Sequence, residues 1–120
     1  MRCALLFVDI YLANADSAAN KVWHIGEDEY LEYSLPGGEI AWSFYPNIDP
    51  AKEREISYMS RLVDGSGKYE IAKEGRSLKV RNVTNGDAGK YVCHSLDGPI
   101  PTPQMFTVTV QQLAQIGRPI

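Results

Sequence analysis

The sequence has very little cysteine and no concentration of positive charge. Among its 120 residues, two are cysteine and two are histidine, and 12 Lys and Arg are set against 15 Asp and Glu. A net charge of -3 without a basic run disfavours nucleic acid or an anionic membrane surface as a partner. No segment approaches the roughly 20 consecutive apolar residues that a membrane-spanning helix needs, so we expect no membrane span.

Local signatures of catalysis and of metal binding are also missing. No nucleophile motif, phosphate loop or calcium loop is present, and His24 and His94 are the only histidines. On a strand, the adjacent Cys93 and His94 would point to opposite faces, so they could not hold one metal ion together. We therefore expect a protein that is not an enzyme and that has no cofactor and no metal site.

The first fifteen residues have the composition of a secretory signal peptide. Arg2 supplies a positive charge, residues 3–12 form a short apolar stretch, and the Ala-Asn-Ala of residues 13–15 is a small-x-small cleavage site. Cleavage there would start the mature chain near Asp16 and predicts a secreted, extracellular protein. The alternative interpretation is that residues 4–12 form a first strand.

Beyond this leader, short runs of β-branched and aromatic residues alternate with turn sequences rich in Gly, Pro, Asn and Asp. No run shows a sustained helical stripe, and the length suits one domain. We place that domain at residues 21–112 and a flexible C-terminal tail at 113–120. The predicted strands are residues 21–25, 29–35, 39–45, 56–62, 68–72, 77–83, 89–96 and 104–111.

The most specific motif is D-x-G-x-Y-x-C, formed by Asp87, Gly89, Tyr91 and Cys93. Its spacing resembles the corner between strands E and F of immunoglobulin superfamily domains, and Ile40-Ala41-Trp42-Ser43-Phe44 resembles their strand C. The resemblance extends over residues 22–111. It implies an all-β fold, an immunoglobulin-like β-sandwich of two antiparallel sheets with Greek-key connections.

The resemblance also implies roles for the core residues. Tyr91 would be the corner tyrosine, whose hydroxyl bonds to backbone just upstream, and Asp87 would pair with Lys68 or Arg76. Trp42 would be the core tryptophan. The implied fold core is Tyr33, Trp42, Asp87, Gly89, Tyr91 and Cys93.

The sequence departs from the family at strand B, where Tyr33 occupies the place of the first cysteine of the inter-sheet disulfide. That bridge is therefore expected to be absent, and losing it costs a small secreted domain about 2–5 kcal/mol. Signal cleavage would also remove Cys3 and leave Cys93 as a lone thiol, which is unusual outside the cell. The additional strand at 56–62 fits a variable-like or an intermediate domain, and the choice between them stays open.

The family resemblance implies a secreted protein-binding module of the cell-adhesion or receptor-recognition kind. The leader favours this function, as does the Asn82-Val83-Thr84 sequon, which predicts glycosylation at Asn82. The alternative is an intracellular structural module of a muscle-type filament protein, which the lone cysteine favours.

Strand alternation predicts where a partner would bind. With Trp42, Tyr91 and Cys93 pointing inward, the opposite parity forms the outer face of the sheet that contains strands C, F and G and the additional strand at 56–62. A protein partner, including a second copy of the chain, is expected to contact Ser43, Tyr45, Val92, His94, Leu96, Met105 and Thr107. The alternative is that Val92, Leu96 and Met105 are ordinary scattered surface apolar residues.

Overall fold

The computed structural model describes residues 18–97 and 103–112. The predicted leader, Cys3, residues 98–102 and the predicted tail lie outside these residues. The described strands are β1 (Ala18–His24), β2 (Glu29–Glu32), β3 (Ile40–Pro46), β4 (Arg54–Tyr58), β5 (Arg61–Leu62), β6 (Tyr69–Ala72), β7 (Ser77–Val80), β8 (Gly89–Ser95) and β9 (Gln104–Gln111). Two short 3-10 helices, Pro50–Lys52 and Asn85–Asp87, lie in the connections.

The strands form two sheets that pack face to face. One has six strands in the order β1-β9-β8-β3-β4-β5, and the other has three in the order β2-β7-β6. The chain changes sheet after β1, β2, β5 and β7, which gives the crossing connections of a Greek key. All strand pairs are antiparallel as predicted except β1 and β9, which run parallel.

Several strand boundaries differ from the sequence-based prediction. The predicted strand 56–62 is two strands, because Met59 and Ser60 both adopt positive φ and reverse the chain. The predicted strand 77–83 ends at Val80, since Asn82 has a φ of 49° and leaves the extended conformation. β1 begins at Ala18, before the predicted start of the domain at residue 21.

The core lies between the sheets, and strand alternation builds it. Along β8 every second side chain is buried, because successive side chains point to opposite faces of a strand. Phe44 stacks on Tyr91 with ring centroids 4.4 Å apart, and Trp42 stacks on Phe106 at 5.9 Å. Trp23 of β1 completes this aromatic layer, 5.5 Å from Tyr91, and the sequence-based prediction did not include it.

Candidate protein-binding face

Hydrogen bonds and an ion pair hold the turn before β8 and so determine where this strand begins in the sandwich. The Tyr91 hydroxyl donates to the backbone carbonyl of Asp87 at 2.9 Å, and both residues are buried. The Asp87 carboxylate accepts from the Thr84 amide at 2.8 Å and pairs with Lys68 Nζ at 2.7 Å. Of the two predicted basic partners of Asp87, the structure brings Lys68 to it. Burial, the largest cause, raises the pKa of Tyr91, so its hydroxyl remains a donor.

Gly89 lets β8 approach the end of β3 very closely. Its φ is 149°, a conformation that side chains rarely adopt. A Cβ at this position would overlap the carbonyl oxygen of Tyr45 and lie 2.9 Å from the Asn47 amide nitrogen. The glycine therefore sets the spacing of the strands on which several predicted binding residues lie.

At the expected place of the inter-sheet bridge, Tyr33 and Cys93 are both buried members of the core. Among the described residues Cys93 is a free cysteine, and burial raises the pKa of its thiol. Arg76 lies beside them, with its guanidinium carbon 5.4 Å from the centroid of the Tyr33 ring. An aromatic ring and a cation thus occupy the region where immunoglobulin-like domains commonly have a disulfide.

The outer face of the six-stranded sheet follows from the strand register. Ser43 pairs with Glu55 on one side and Val92 on the other, and Val92 pairs with Met105. Because paired residues share a face, these four side chains form one row across four strands. The neighbouring rows are Tyr45, Lys90 and Thr107, and Ala41 with His94. We call this surface, together with Leu96 at the end of β8, the outer face.

The seven residues predicted to contact a partner lie on this face. Each of them is partly accessible or exposed, whereas their strand neighbours Trp42, Tyr91 and Phe106 are buried. Leu96 is the most exposed large apolar side chain of the seven, at 37%. Its amide donates to the carbonyl of Glu39 at 2.6 Å, which keeps the end of β8 against β3.

A β-bulge adds a residue that the sequence did not predict. The register shifts between Trp42 and Ser43, so that Ile56 and Ser57 both lie opposite Trp42. Since Ser57 pairs with Trp42, the next residue, Tyr58, takes the parity of Ala41 and lies on the outer face. Without the bulge, Tyr58 would have the parity of Ile56, whose side chain is buried.

Tyr45 and its neighbours give the outer face a mixed electrostatic character. The Lys90 ammonium lies 5.8 Å from the centroid of the Tyr45 ring. Partial burial, and then the nearby Glu53 carboxylate, raise the pKa of Tyr45. The face thus carries apolar side chains, a neutral phenol and charges of both signs.

The opposite surface of the sandwich, on the three-stranded sheet, is different. There Lys79 lies 3.7 Å from Asp28 and 3.8 Å from Glu70, and Arg81 pairs with Glu70 at 3.0 Å. The hydrogen bond from Arg81 is the largest cause that lowers the pKa of Glu70. Charged groups on this surface are paired with each other and would have to be separated and desolvated by a partner.

Asn82 lies at the margin of that sheet, on the rim of a cleft. Arg54, Lys68, Tyr69 and Asp87 are among the residues that line the cleft. Asn82 is exposed, and its backbone amide donates to Asp28 Oδ1 at 2.9 Å. Its backbone carbonyl accepts from Lys68 Nζ, so the main chain is fixed while the side chain faces solvent.

Within residues 18–97 and 103–112, no three His, Cys, Asp or Glu side chains are grouped so that they could hold a metal ion. In the same part of the chain, no helix has the length and apolar composition required to cross a bilayer.

Comparison with solved structures shows the fold. Tim-1 superposes with a TM-score of 0.61 at 16% identity, covering 78% of this chain and 92% of that one. The ZIG-8 IG1 homodimer gives 0.61 at 21% identity, covering 80% and 79%. The second Ig domain of the mouse polymeric immunoglobulin receptor gives 0.60 at 15% identity, covering 78% and 96%. No protein-family model matches the chain. No curated protein is significantly similar to it.

The predicted immunoglobulin-like fold is confirmed by these superpositions. Two strands, β4 and β5, extend the large sheet beyond β3. Variable-type domains have two additional strands at this edge, and the smaller constant-type sandwich lacks them.

Proposed function

We propose that the chain is an extracellular recognition module that binds a protein partner through its outer face. The observation that carries this proposal is the contrast between the two surfaces of the sandwich. The outer face carries Tyr45, Tyr58, Val92, Met105 and Leu96 beside Glu55 and Lys90, whereas the other surface carries a network of paired charges. Aromatic residues and methionine are enriched at protein interfaces, whereas charged residues are depleted from interface centres.

The fold comparison supports a protein partner. One of the structural neighbours, ZIG-8 IG1, is described as a homodimer. Because unrelated functions share this fold, the neighbour alone assigns no partner to the present chain, and its own outer face carries the proposal. Both a second copy and a different protein are partners compatible with an apolar face of this kind.

Secretion and glycosylation belong to the same proposal. The leader at residues 1–15 would direct the chain to the secretory pathway, and the sequon at Asn82 would then be glycosylated. A glycan on Asn82 would extend from the margin of the three-stranded sheet. It would leave the outer face, which lies on the other sheet, open to a partner.

A second candidate function is an intracellular structural module of a muscle-type filament protein. The observation that favours it is the free, buried Cys93, since secreted domains of this size usually contain a disulfide. In a reducing compartment disulfides rarely form, so a domain there has to be stable without one.

Expression of the 120-residue chain in eukaryotic cells separates the two candidates. A product in the culture medium that begins near Asp16 supports the recognition module. A product that stays in the cytosol with residues 1–15 attached contradicts it and supports the filament module.

Binding is tested with fluorescent multimers of the secreted protein on a panel of intact cells. We expect Tyr45→Ala and Leu96→Asp to reduce staining by roughly tenfold or more, as for residues near an interface centre. The control is Tyr30→Ala, which removes an exposed tyrosine from the three-stranded sheet. Equal staining by all three folded variants would contradict the proposed face.

A further inference from the structure

A polar cleft lies beside the predicted glycosylation site. It is lined by Arg54 and Tyr69 among others, and we call it the Asn82 cleft. Its volume is about 570 Å³, within the range of about 300–1,000 Å³ that is typical of pockets for small ligands. Asn82 and Thr84, the first and third residues of the sequon, both line the cleft, whereas Val83 between them is fully buried. A sugar attached to Asn82 therefore starts at the edge of a cavity large enough to receive a sugar ring.

The charges in the lining of the Asn82 cleft are balanced within the protein. Lys68 and Arg81 each pair with a carboxylate, at 2.7 Å and 3.0 Å. Arg54 and Asp64 also line the cleft and are of opposite sign. Because neither sign is in excess, the cleft has no net field that would attract an ionic ligand. Its serine, threonine and tyrosine hydroxyls can both donate and accept hydrogen bonds. This lining suits a neutral ligand that is rich in hydroxyl and amide groups.

Tyr69 brings a hydrogen-bond donor to the Asn82 cleft. Although it lines the cleft, it is only 4% exposed, and burial is the largest cause that raises the pKa of Tyr69 to about 12. Its hydroxyl is therefore protonated at neutral pH. The Arg54 guanidinium beside this hydroxyl can only donate, and no described residue accepts a hydrogen bond from it. A buried hydroxyl is normally paired with an acceptor, and a sugar oxygen in the cleft supplies one.

The backbone of Asn82 is held at the rim of the cleft. Its amide donates to Asp28 Oδ1 and its carbonyl accepts from Lys68 Nζ, both at 2.9 Å. Its φ of 49° lies in the left-handed region, which asparagine adopts with less strain than most residues. An N-linked sugar is bonded directly to the side-chain amide, so a fixed backbone keeps the sugar close to the cleft. The tether makes the contact intramolecular, and weak polar contacts are then sufficient.

We propose that the first N-acetylglucosamine of a glycan on Asn82 binds in the Asn82 cleft, where its hydroxyl and N-acetyl groups hydrogen-bond to Arg54 and Tyr69. This inference rests on the proposed function, because it requires glycosylation at Asn82. Arg54 begins β4 of the six-stranded sheet, and Tyr69 begins β6 of the three-stranded sheet. The bound sugar thus connects the two sheets of a sandwich in which Cys93 is a free cysteine among the described residues.

The test compares the thermal midpoints of three forms of the secreted protein. Cells that make only oligomannose glycans supply the first form, and endoglycosidase H trims its glycan to a single N-acetylglucosamine to give the second. The third is Asn82→Asp, which carries the residue that enzymatic removal of the whole glycan leaves. We expect equal midpoints for the first two forms. The midpoint of Asn82→Asp should be roughly 4–8 °C lower, the shift expected from one net hydrogen bond in a domain of this size.

A variant of the cleft separates bound sugar from other effects of glycosylation. Arg54→Met removes the guanidinium and keeps most of the aliphatic stem. Its matched control is Arg61→Met, since Arg61 is an exposed arginine of β5 that does not line the cleft. We expect the single sugar to raise the midpoint by less than half as much in Arg54→Met as in the parent, and by the same amount in Arg61→Met. Because Asn82→Asp is the reference in every background, its own effect cancels.

Nuclear magnetic resonance of the single-sugar form gives a second measurement that needs no variant of the cleft. We expect nuclear Overhauser contacts between the N-acetyl methyl protons and the side chain of Arg54 or Tyr69. Their absence, with the glycan attached, would overturn the placement of the sugar in the cleft.

The remaining outcomes distinguish this inference from the proposed function. A glycan at Asn82 with equal midpoints for all three forms would overturn binding in the cleft and leave glycosylation standing. A trimmed form as unstable as Asn82→Asp would assign any stabilisation to the outer sugars and would also overturn it. The same holds for an equal gain from the sugar in the parent and Arg54→Met. A secreted parent without a glycan would overturn both this inference and the proposed glycosylation, while staining that depends on Leu96 would still support the outer face as a binding surface.

Discussion

The Arg76 side chain contacts both the ring of Tyr33 and the backbone of the segment around Tyr33. In addition to lying over the Tyr33 ring, the guanidinium donates from Nη1 to the carbonyls of Tyr33 at 3.2 Å and Leu35 at 2.8 Å. Nη2 donates to the carbonyl of Gly37. The Arg76 side chain, which directly precedes β7, therefore holds the connection from β2 to β3 in place, close to the thiol of Cys93. It supplies a non-covalent link beside Cys93, which is a free cysteine among the described residues.

Replacing Arg76 should destabilise the domain strongly. Arg76→Met removes the partner of three carbonyl oxygens, and we expect the free energy of unfolding to fall by about 2–4 kcal/mol. Arg76→Lys should recover a small part, because an ammonium cannot reach several carbonyls as a planar guanidinium does. Urea titration followed by tryptophan fluorescence measures both effects.

Arg81→Met provides the matched control, since Arg81 is exposed and pairs with Glu70 on the surface. An exposed pair contributes less than about 1 kcal/mol. If Arg76→Met and Arg81→Met lowered the free energy of unfolding equally, the contacts of Arg76 would contribute no more than an exposed ion pair does.

Cys93 should behave as a protected thiol. Its pKa is raised by burial, so at neutral pH it reacts with a thiol reagent only when the domain opens. We expect labelling in native buffer to be far slower than in urea. Labelling at the same rate in both would contradict the buried position.

The same raised pKa gives a pH dependence. The folded state keeps the thiol protonated. Burial of the neutral thiol therefore contributes fully to the free energy of unfolding below the pKa of the unfolded thiol, about 8.5. This contribution is lost as the pH rises above that value. Cys93→Ala should be less stable than the parent near neutral pH, because it leaves a small cavity. The variant should also lose less stability than the parent between pH 8 and pH 10.

The sequence predicted those features that depend on local geometry. Alternation in 89–96 and 104–111 identified the inward and outward side chains, because the two-residue period of a strand is fixed by its backbone. The spacing of Asp87, Gly89 and Tyr91 placed the corner before β8, since the tyrosine bonds to a carbonyl four residues upstream.

Features set by distant contacts were not predictable in this way. The turn at Met59-Ser60 contains neither Gly nor Asn, and its conformation depends on bonds to Ile40, 20 residues earlier in the chain. The bulge that moves Tyr58 onto the outer face likewise depends on the pairing of β4 with β3. For this reason Tyr58 was absent from the predicted partner-binding residues.

Gly89→Ala should be among the most damaging small substitutions in the domain. The added Cβ would overlap the Tyr45 carbonyl at a φ of 149°, so β8 and the end of β3 must move apart. We expect a loss of more than about 2 kcal/mol, measured by urea titration. Gly86→Ala is the matched control, because its φ is not positive and the nearest atom to its added Cβ is Thr84 Oγ1 at 3.7 Å. Similar losses from both alanines would contradict the close approach at Gly89.

The sequon at Asn82 should carry a glycan when the chain is made in the eukaryotic secretory pathway. Asn82 is exposed and has a φ of 49°, so Asn82→Asp removes the acceptor with a residue that tolerates the same backbone. Thr84→Ser keeps the sequon and a hydroxyl at the site of the Thr84 contact with Asp87. We expect glycosidase to increase gel mobility for the parent and Thr84→Ser and to leave Asn82→Asp unchanged.

Because the glycan would lie on the other sheet, its removal should not alter staining that depends on Leu96. An unchanged mobility of the secreted parent would exclude the modification, and lost staining after deglycosylation would place the glycan within the binding surface.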